Sequence, residues 1–281
     1  MTEFLLVAVD GTLSRGFAYS GGDSEERQMC VFHESYTRQF HAKARIASNN
    51  KYFDHGPDSA VTGWDSAEIE KNAWRWLAKG LERSPHAKVI LVGHSRGGHI
   101  VTNLALRLSK VRLGSFVPVL RAPGPLSREE TLKVLARPIQ RVLFLGLYDA
   151  VDMTTSLGDT STVPENVDWC YHAIRSKKIG SRRDWGNTAL NFARKDDKRH
   201  LTKEFGGTHG SMGGAIPEAC AGNLNTYLLA GQIVGGFFGR KLVANALGSC
   251  EIAVTEEENA SAGREANEWM LAGARKAGVP I

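Results

Sequence analysis

Cysteine is scarce and scattered in this 281-residue chain. There are four, Cys30, Cys170, Cys220 and Cys250, with no C-x-x-C pair and no Cys/His spacing of the zinc type. So few thiols in so long a chain do not build a disulfide scaffold or a metal site, and reduced, packed cysteines are expected. Long apolar runs are also missing. The longest, Leu228 to Phe238, is broken by Gln232 and three glycines, and it falls short of the ~20 residues that span a bilayer. The first residues, Met1-Thr2-Glu3, carry an acid where a signal peptide needs positive charge. The apolar run Phe4 to Val9 is too short for its hydrophobic region. The expectation is a cytoplasmic chain with no cleaved signal and no transmembrane segment, export by a specialised secretion machine staying open. Charge of one sign is not in large excess either. Lys plus Arg is 35 against 30 for Asp plus Glu, a net +5, which does not call for nucleic acid but leaves room for an anionic substrate or surface. Internal repeats and low-complexity linkers are absent.

What the chain does have is an ordinary globular composition, 42% hydrophobic and 23% charged, and a regular alternation. Short apolar runs suited to buried strands take turns with helical periodicities, the signature of an α/β domain with a mostly parallel sheet. Strands are expected at Phe4 to Val9, Lys51 to His55, Ala87 to Val92, Arg141 to Tyr148, Val167 to Ile174 and in the segment up to Phe205. Helices are expected over Ser66 to Leu81, from the glycines after Ser95 through Leu108, over Ala221 to Leu247, and over Glu256 to Lys276, the last weakened near its end by Gly273. One domain, 1–281, accounts for the pattern, with 13–50 and 150–200 as excursions above the sheet.

Gly93-His94-Ser95-Arg96-Gly97 matches G-x-S-x-G and lies between a buried strand and a helix. That is the setting of a nucleophile elbow, where a sharp turn projects the serine Oγ above the sheet. The following amide, that of Arg96, is then aimed at a developing oxyanion, and the helix N-terminus favours the negative charge. A hydroxyl needs a base, and the base an orienting acid. In this setting the acid and then the base follow the serine in the chain, each just past a later strand. Asp149 directly follows the strand 141–148, and His209 follows the segment ending at Phe205, flanked by glycines. Asp152 is an alternative acid. His172 and His200 read as structural or exposed. His94 and His99 are too local to Ser95 to be the base, although His94 can line the pocket. The second oxyanion donor is expected from the first strand's loop, as the amide of Gly11 or Thr12. Asp10-Gly11-Thr12 also looks like the start of a haloacid-dehalogenase-type phosphatase. There the nucleophilic aspartate would stand where this chain has Ala8, so that chemistry is excluded.

Taken in order, Asp10-Gly11-Thr12, the Gly-His-Ser-Arg-Gly-Gly elbow, Gly-Leu-Tyr-Asp149-Ala-Val-Asp and Gly-Gly-Thr-His209-Gly-Ser-Met-Gly-Gly resemble an α/β-hydrolase family. That family includes the type VI secretion phospholipase effectors. Lys51-Tyr-Phe-Asp-His-Gly56 is similar to its Tyr-Tyr-x-x-Gly-Val segment. The resemblance covers roughly 4–214 and implies an α/β-hydrolase fold with Ser95 as nucleophile, Asp149 as acid and His209 as base. It also implies an esterase, lipase or phospholipase activity. Departures are His94 for the usual Phe, Ser211 where the family tends to carry Asp, and Ala150 for Thr. They bear on the substrate more than on the triad. Asp10, His94 and Ser211 are expected around the pocket, and no metal or other cofactor is called for.

Basic residues gather at Arg175, Lys177, Lys178, Arg182, Arg183, Arg194, Lys195, Lys198 and Arg199. They form either a solvated loop or a surface for anionic lipid or a phosphate-bearing substrate, beside the expected pocket. Only Trp185 and Phe192 interleave with them, too few aromatics for nucleic-acid binding. The reading is a serine hydrolase acting on a small-molecule or lipid ester. A phospholipase or lipase, and a non-catalytic hydrolase-like binding module, are the alternatives, and oligomeric state is open.

Overall fold

The structure, a computed structural model, describes residues 3–12, 35–57, 65–112, 139–152, 157–179, 186–194, 196, 198–214 and 254–281. The helix expected over Ala221 to Leu247 lies outside them, as do Cys30, Cys220, Cys250, Arg182, Arg183 and Lys195. In chain order the elements are β1 Phe4–Val9, α1 Tyr36–Lys43, β2 Lys51–Asp54, α2 Asp65–Arg83, β3 Lys88–His94 and α3 Arg96–Leu108. There follow β4 Val142–Tyr148, β5 Thr162–Val163, β6 Val167–Arg175, β7 Asn191–Phe192, β8 His200–Phe205, α4 His209–Met212 and α5 Glu256–Lys276.

Six strands form one sheet in the order β2-β1-β3-β4-β6-β8, every neighbouring pair parallel. β5 and β7 make a separate two-stranded ribbon. Parallel strands buried on both faces explain the continuous apolar runs of β1, β3 and β4. Side chains alternate between two cores. Leu5, Val7 and Val9 of β1 join Leu77 and Leu81 of α2 and Ile100 and Leu104 of α3 on one face. Leu6 joins Phe40 of α1 and Ala266 and Met270 of α5 on the other. The domain is therefore three layers, helices on both faces of a mostly parallel sheet.

Part of a segment expected to be an excursion contributes to these layers instead. Within 13–50, α1 packs Tyr36 and Phe40 into the second core, because its apolar residues four apart need a sheet face to bury against. Within 150–200, the strand expected over Val167 to Ile174 is β6, an inner strand of the sheet. Gly273 does not end α5, which runs to Lys276 with a capping box at Thr255 and Glu258. A Cβ on Gly273 would lie 2.4 Å from the Tyr171 ring, so the glycine lets the helix sit close on β6. Cys170 is free and buried in β6, where burial pushes its thiol up. No helix of the described residues is long and apolar enough to cross a membrane.

The chain leaves β1 for β2 on one side and then crosses to β3 on the other. This reversal lies at the carboxyl ends of β1 and β3, the usual place for a ligand in an open α/β sheet. Gly11 and Ser95 face each other there.

Candidate active site

Ser95 sits between the last residue of β3 and the first of α3 with φ +54° and ψ −126°. A non-glycine residue at such an angle costs on the order of 1–3 kcal/mol and is held by its surroundings. The holding bonds are visible: the Ser95 amide donates to the Tyr148 carbonyl at 3.0 Å, and the Ser95 carbonyl accepts from Val151 at 3.2 Å. The elbow is thus pinned to the end of β4. Its glycines are sterically required. A Cβ on Gly93 would lie 2.4 Å from the Gly97 carbonyl oxygen, and one on Gly97 would lie 2.3 Å from that of Val9. Ser95 stands at the N-cap of α3 without capping it, although a serine there normally bonds a first-turn amide. Its hydroxyl points elsewhere, to His209.

The Ser95 Oγ is 2.9 Å from His209 Nε2, and His209 Nδ1 is 2.6 Å from Asp149 Oδ2. All three side chains are nearly excluded from water. The residues singled out as nucleophile, base and acid are brought into one hydrogen-bonded line from the ends of β3, β4 and β8. The two candidate aspartates are also told apart by their partners. Asp149, itself at φ +45°, faces His209. Asp152 is instead half exposed and lies 3.1 Å from Nδ1 of His99.

Asp149 is surrounded by donors. Oδ2 accepts from Arg175 Nη1 at 2.6 Å as well as from His209, and Oδ1 accepts from the Arg175 amide at 3.1 Å and from Asn187 Nδ2 at 2.7 Å. Burial alone pushes this carboxyl up, but the His209 hydrogen bond and charge, the Arg175 guanidinium and the Asn187 amide outweigh it and hold the group well below the usual carboxylate range. An ionised acid at that place fixes His209 with its proton on Nδ1 and leaves Nε2 free to take the serine proton.

His209 is delivered by α4, whose N-cap Thr208 accepts from the Ser211 amide. Asn259 of α5 accepts from the Thr208 amide at 2.8 Å, and the Gly213 carbonyl accepts from the Tyr36 amide at 3.1 Å. His94 lies between the glycines of both loops. A Cβ on Gly11 would be 2.5 Å from its Nδ1, and one on Gly213 would be 2.3 Å from its Cε1. Its Nε2 lies 3.3 Å from the His209 carbonyl and its ring 5.0 Å from the His209 ring. His94 is therefore a clamp on His209, packed between the two glycine loops.

At the expected oxyanion hole, a Cβ on Gly11 would stand 3.0 Å from the Ser95 Cβ, which places the Gly11–Thr12 backbone beside Ser95. The buried Arg96 side chain reaches Thr12 Oγ1 at 3.2 Å and ties this loop to the elbow. The Asp10 side chain turns into the fold. Its carboxylate is buried, accepting from Ser35 at 2.6 Å and from Thr37, and so fastens α1 to the end of β1. Ser211 turns inward too, donating to the Thr208 carbonyl at 2.9 Å. His172 and His200 are structural. His172 accepts the Ala150 amide proton at 3.1 Å, steadying the residue after the acid, and His200 bridges the carbonyls of Arg194 and Val167.

The basic residues do not form one surface at the site. Lys177 and Lys178 are exposed just after β6, at the carboxyl end of the sheet, whereas Arg194, Lys198 and Arg199 precede β8 and belong to the opposite end. β6 and β8 are parallel, so the chain between them must return across the domain, and residues adjacent in sequence are parted. Arg175 is not on the surface at all but buried against Asp149.

Arg175, Asn187 and Asn259 were not marked by the sequence as site residues. Their only signal was position, a basic residue ending a buried strand, one asparagine in a loop and one in the first turn of α5; knowing their partners requires the strand order. Among the described residues no group of three or more His, Cys, Asp or Glu side chains can hold a metal ion. Compared with known proteins, the chain matches no family model and no curated sequence.

Proposed function

We propose that the protein is a serine hydrolase of the α/β-hydrolase fold that cleaves a carboxylic ester through an acyl-enzyme. The observation that carries this reading is the continuous line Ser95–His209–Asp149, at 2.9 and 2.6 Å, on a strained elbow at the switch point of a parallel sheet. The strand order and the four motifs that resemble the phospholipase-effector hydrolases support it.

In the reaction, Ser95 Oγ forms a bond to the ester carbonyl carbon while His209 Nε2 accepts the hydroxyl proton. The carbonyl electron pair moves onto oxygen, which the amides of Arg96 and of Gly11 or Thr12 receive. Collapse of the tetrahedral species expels the alcohol, which takes the proton back from His209. Water then attacks the acyl-serine, giving its proton to His209, and Ser95 recovers it as the acid leaves. Asp149 stays ionised throughout and stabilises the imidazolium.

Ser95→Ala removes the nucleophile and is expected to abolish turnover of a chromogenic short-chain ester. The thermal midpoint should stay nearly unchanged, since alanine keeps the backbone of the elbow. A fluorophosphonate probe should label the Ser95 peptide in the unaltered chain. Retained turnover in the alanine variant contradicts the mechanism, and failure of the probe to label favours a binding module. A series of acyl chain lengths then separates a soluble esterase from a lipase or phospholipase.

A further inference from the structure

The acid of the relay is held by a second partner whose presence ordinary triad chemistry does not require. Arg175 ends β6, beside β4 in the sheet, and its guanidinium and its own backbone amide both bond Asp149, at 2.6 and 3.1 Å. Nη1 and His209 Nδ1 share the same oxygen, Oδ2. The side chain is buried, 6% exposed, against a carboxylate that is 0% exposed. A permanent cation sealed beside the acid is unlike a solvated surface arginine, because the low dielectric makes its field felt across the relay. Resting on the hydrolase reading, we propose that Arg175 is a positioning residue of the relay, sharing Asp149 with His209 and so setting how readily the base takes the serine proton.

Two consequences follow from this sharing. First, the carboxylate cannot rotate. Nη1 fixes Oδ2, and the Arg175 amide and Asn187 fix Oδ1, so the lone pair facing His209 keeps its direction. Second, the negative charge that would otherwise act on His209 alone is partly answered by the guanidinium. His209 therefore stays neutral, and able to act as a base, to a lower pH than beside an isolated carboxylate. Among the described residues, the other titratable groups facing the relay include His94 from β3 and His172 from β6. His172 bonds the Ala150 amide rather than the acid, and His94 lies against the His209 carbonyl.

The test is the pH dependence of kcat/KM for a short-chain ester, and of fluorophosphonate labelling at Ser95, in the unaltered chain, Arg175→Met and Arg175→Lys. In R175M the acidic limb of both profiles should move up by about 1 pH unit or more, with a lower plateau kcat and little change in KM. R175K restores the charge and should return the limb toward its original place. An R175M profile whose acidic limb does not move overturns the proposal, whatever happens to the plateau. If R175M does not fold, R175Q, which keeps an N–H toward Oδ2 without the charge, makes the same comparison. Titration of the His209 imidazole by NMR follows the same proton without turnover. A chain that neither turns over ester nor takes the probe contradicts the hydrolase reading, while the titration still decides the role of Arg175.

Discussion

Asp149→Asn is the sharpest single perturbation of this site, because among the described residues each group bonded to its carboxylate is a donor. Oδ2 receives His209 Nδ1 and Arg175 Nη1, and Oδ1 receives the Arg175 amide and Asn187. An asparagine must place its own NH2 against one of these pairs. On the Oδ2 side it confronts Arg175 and forces His209 to carry its proton on Nε2, where it points at Ser95 and cannot accept the hydroxyl proton. On the Oδ1 side it opposes a backbone amide that cannot turn away. Loss of the correct tautomer in a Ser-His-Asp relay costs about 10⁴ in kcat, or ~5 kcal/mol of transition-state stabilisation. The stability effect is separate. Without the carboxylate charge the buried Arg175 loses its anion, at about 3–5 kcal/mol, which lowers the thermal midpoint on the order of 10 °C. Steady-state hydrolysis of a short-chain ester and a thermal melt read the two effects independently. Asp152→Asn provides the contrast. That side chain faces His99 and solvent, so kcat/KM should stay as in the unaltered chain. Retention of more than about a tenth of the activity by D149N, against the loss expected for the tautomer argument, or a collapse of activity in D152N, would refute the assignment of the acid.

Other expectations concern the support of the base and the buried histidine. Gly213→Ala would put a Cβ between 2.3 and 2.6 Å from three atoms of the His94 ring. The clamp on His209 must then shift, costing about 1–3 kcal/mol of stability; kcat should fall at least as steeply as the melting temperature, and a fully active G213A would show that the His94 contact does not position the base. For His172, burial lowers the imidazolium from 6.5 to about 4. The unfolded chain takes up that proton as pH drops through 6.5 while the native ring, accepting the Ala150 amide, does not. This contribution is therefore complete above pH 6.5, declines between pH 6.5 and about 4 by roughly 3 kcal/mol, and is flat below. Chemical denaturation across that range should show a shallower decline in His172→Gln, and an identical slope in the two proteins would contradict the assignment.

Some of the architecture could be read from residue order alone, and particular cases show why the rest could not. The runs of β1, β3 and β4 were legible because strands buried on both faces leave unbroken apolar stretches. The helix expected over Ser66 to Leu81 was legible from its apolar spacing, and α2 runs Asp65–Arg83. Helix α1 was missed inside 13–50 because eight residues with a weak apolar stripe acquire helical stability from the sheet they pack on. Asp10, expected at the pocket from its motif, bonds Ser35 and Thr37, partners set by where α1 docks. The basic residues of 175–199 were grouped by sequence adjacency, and the parallel run of β6 and β8 divides them between the two ends of the sheet.

The sequence by itself determined the chemistry on offer: a serine between strand and helix with glycines where a Cβ would strike backbone, and an acid and a histidine just beyond later strands. Those features are local, since periodicity, small residues at tight turns and position after a strand are all written within a few residues of one another. Only the tertiary structure decided which aspartate meets the histidine. It turned Asp149 inward and Asp152 outward, and it set the buried charge of Arg175 against the acid. Such choices depend on which strands lie side by side, and strand order is fixed by the packing of both cores rather than by any short stretch of the chain.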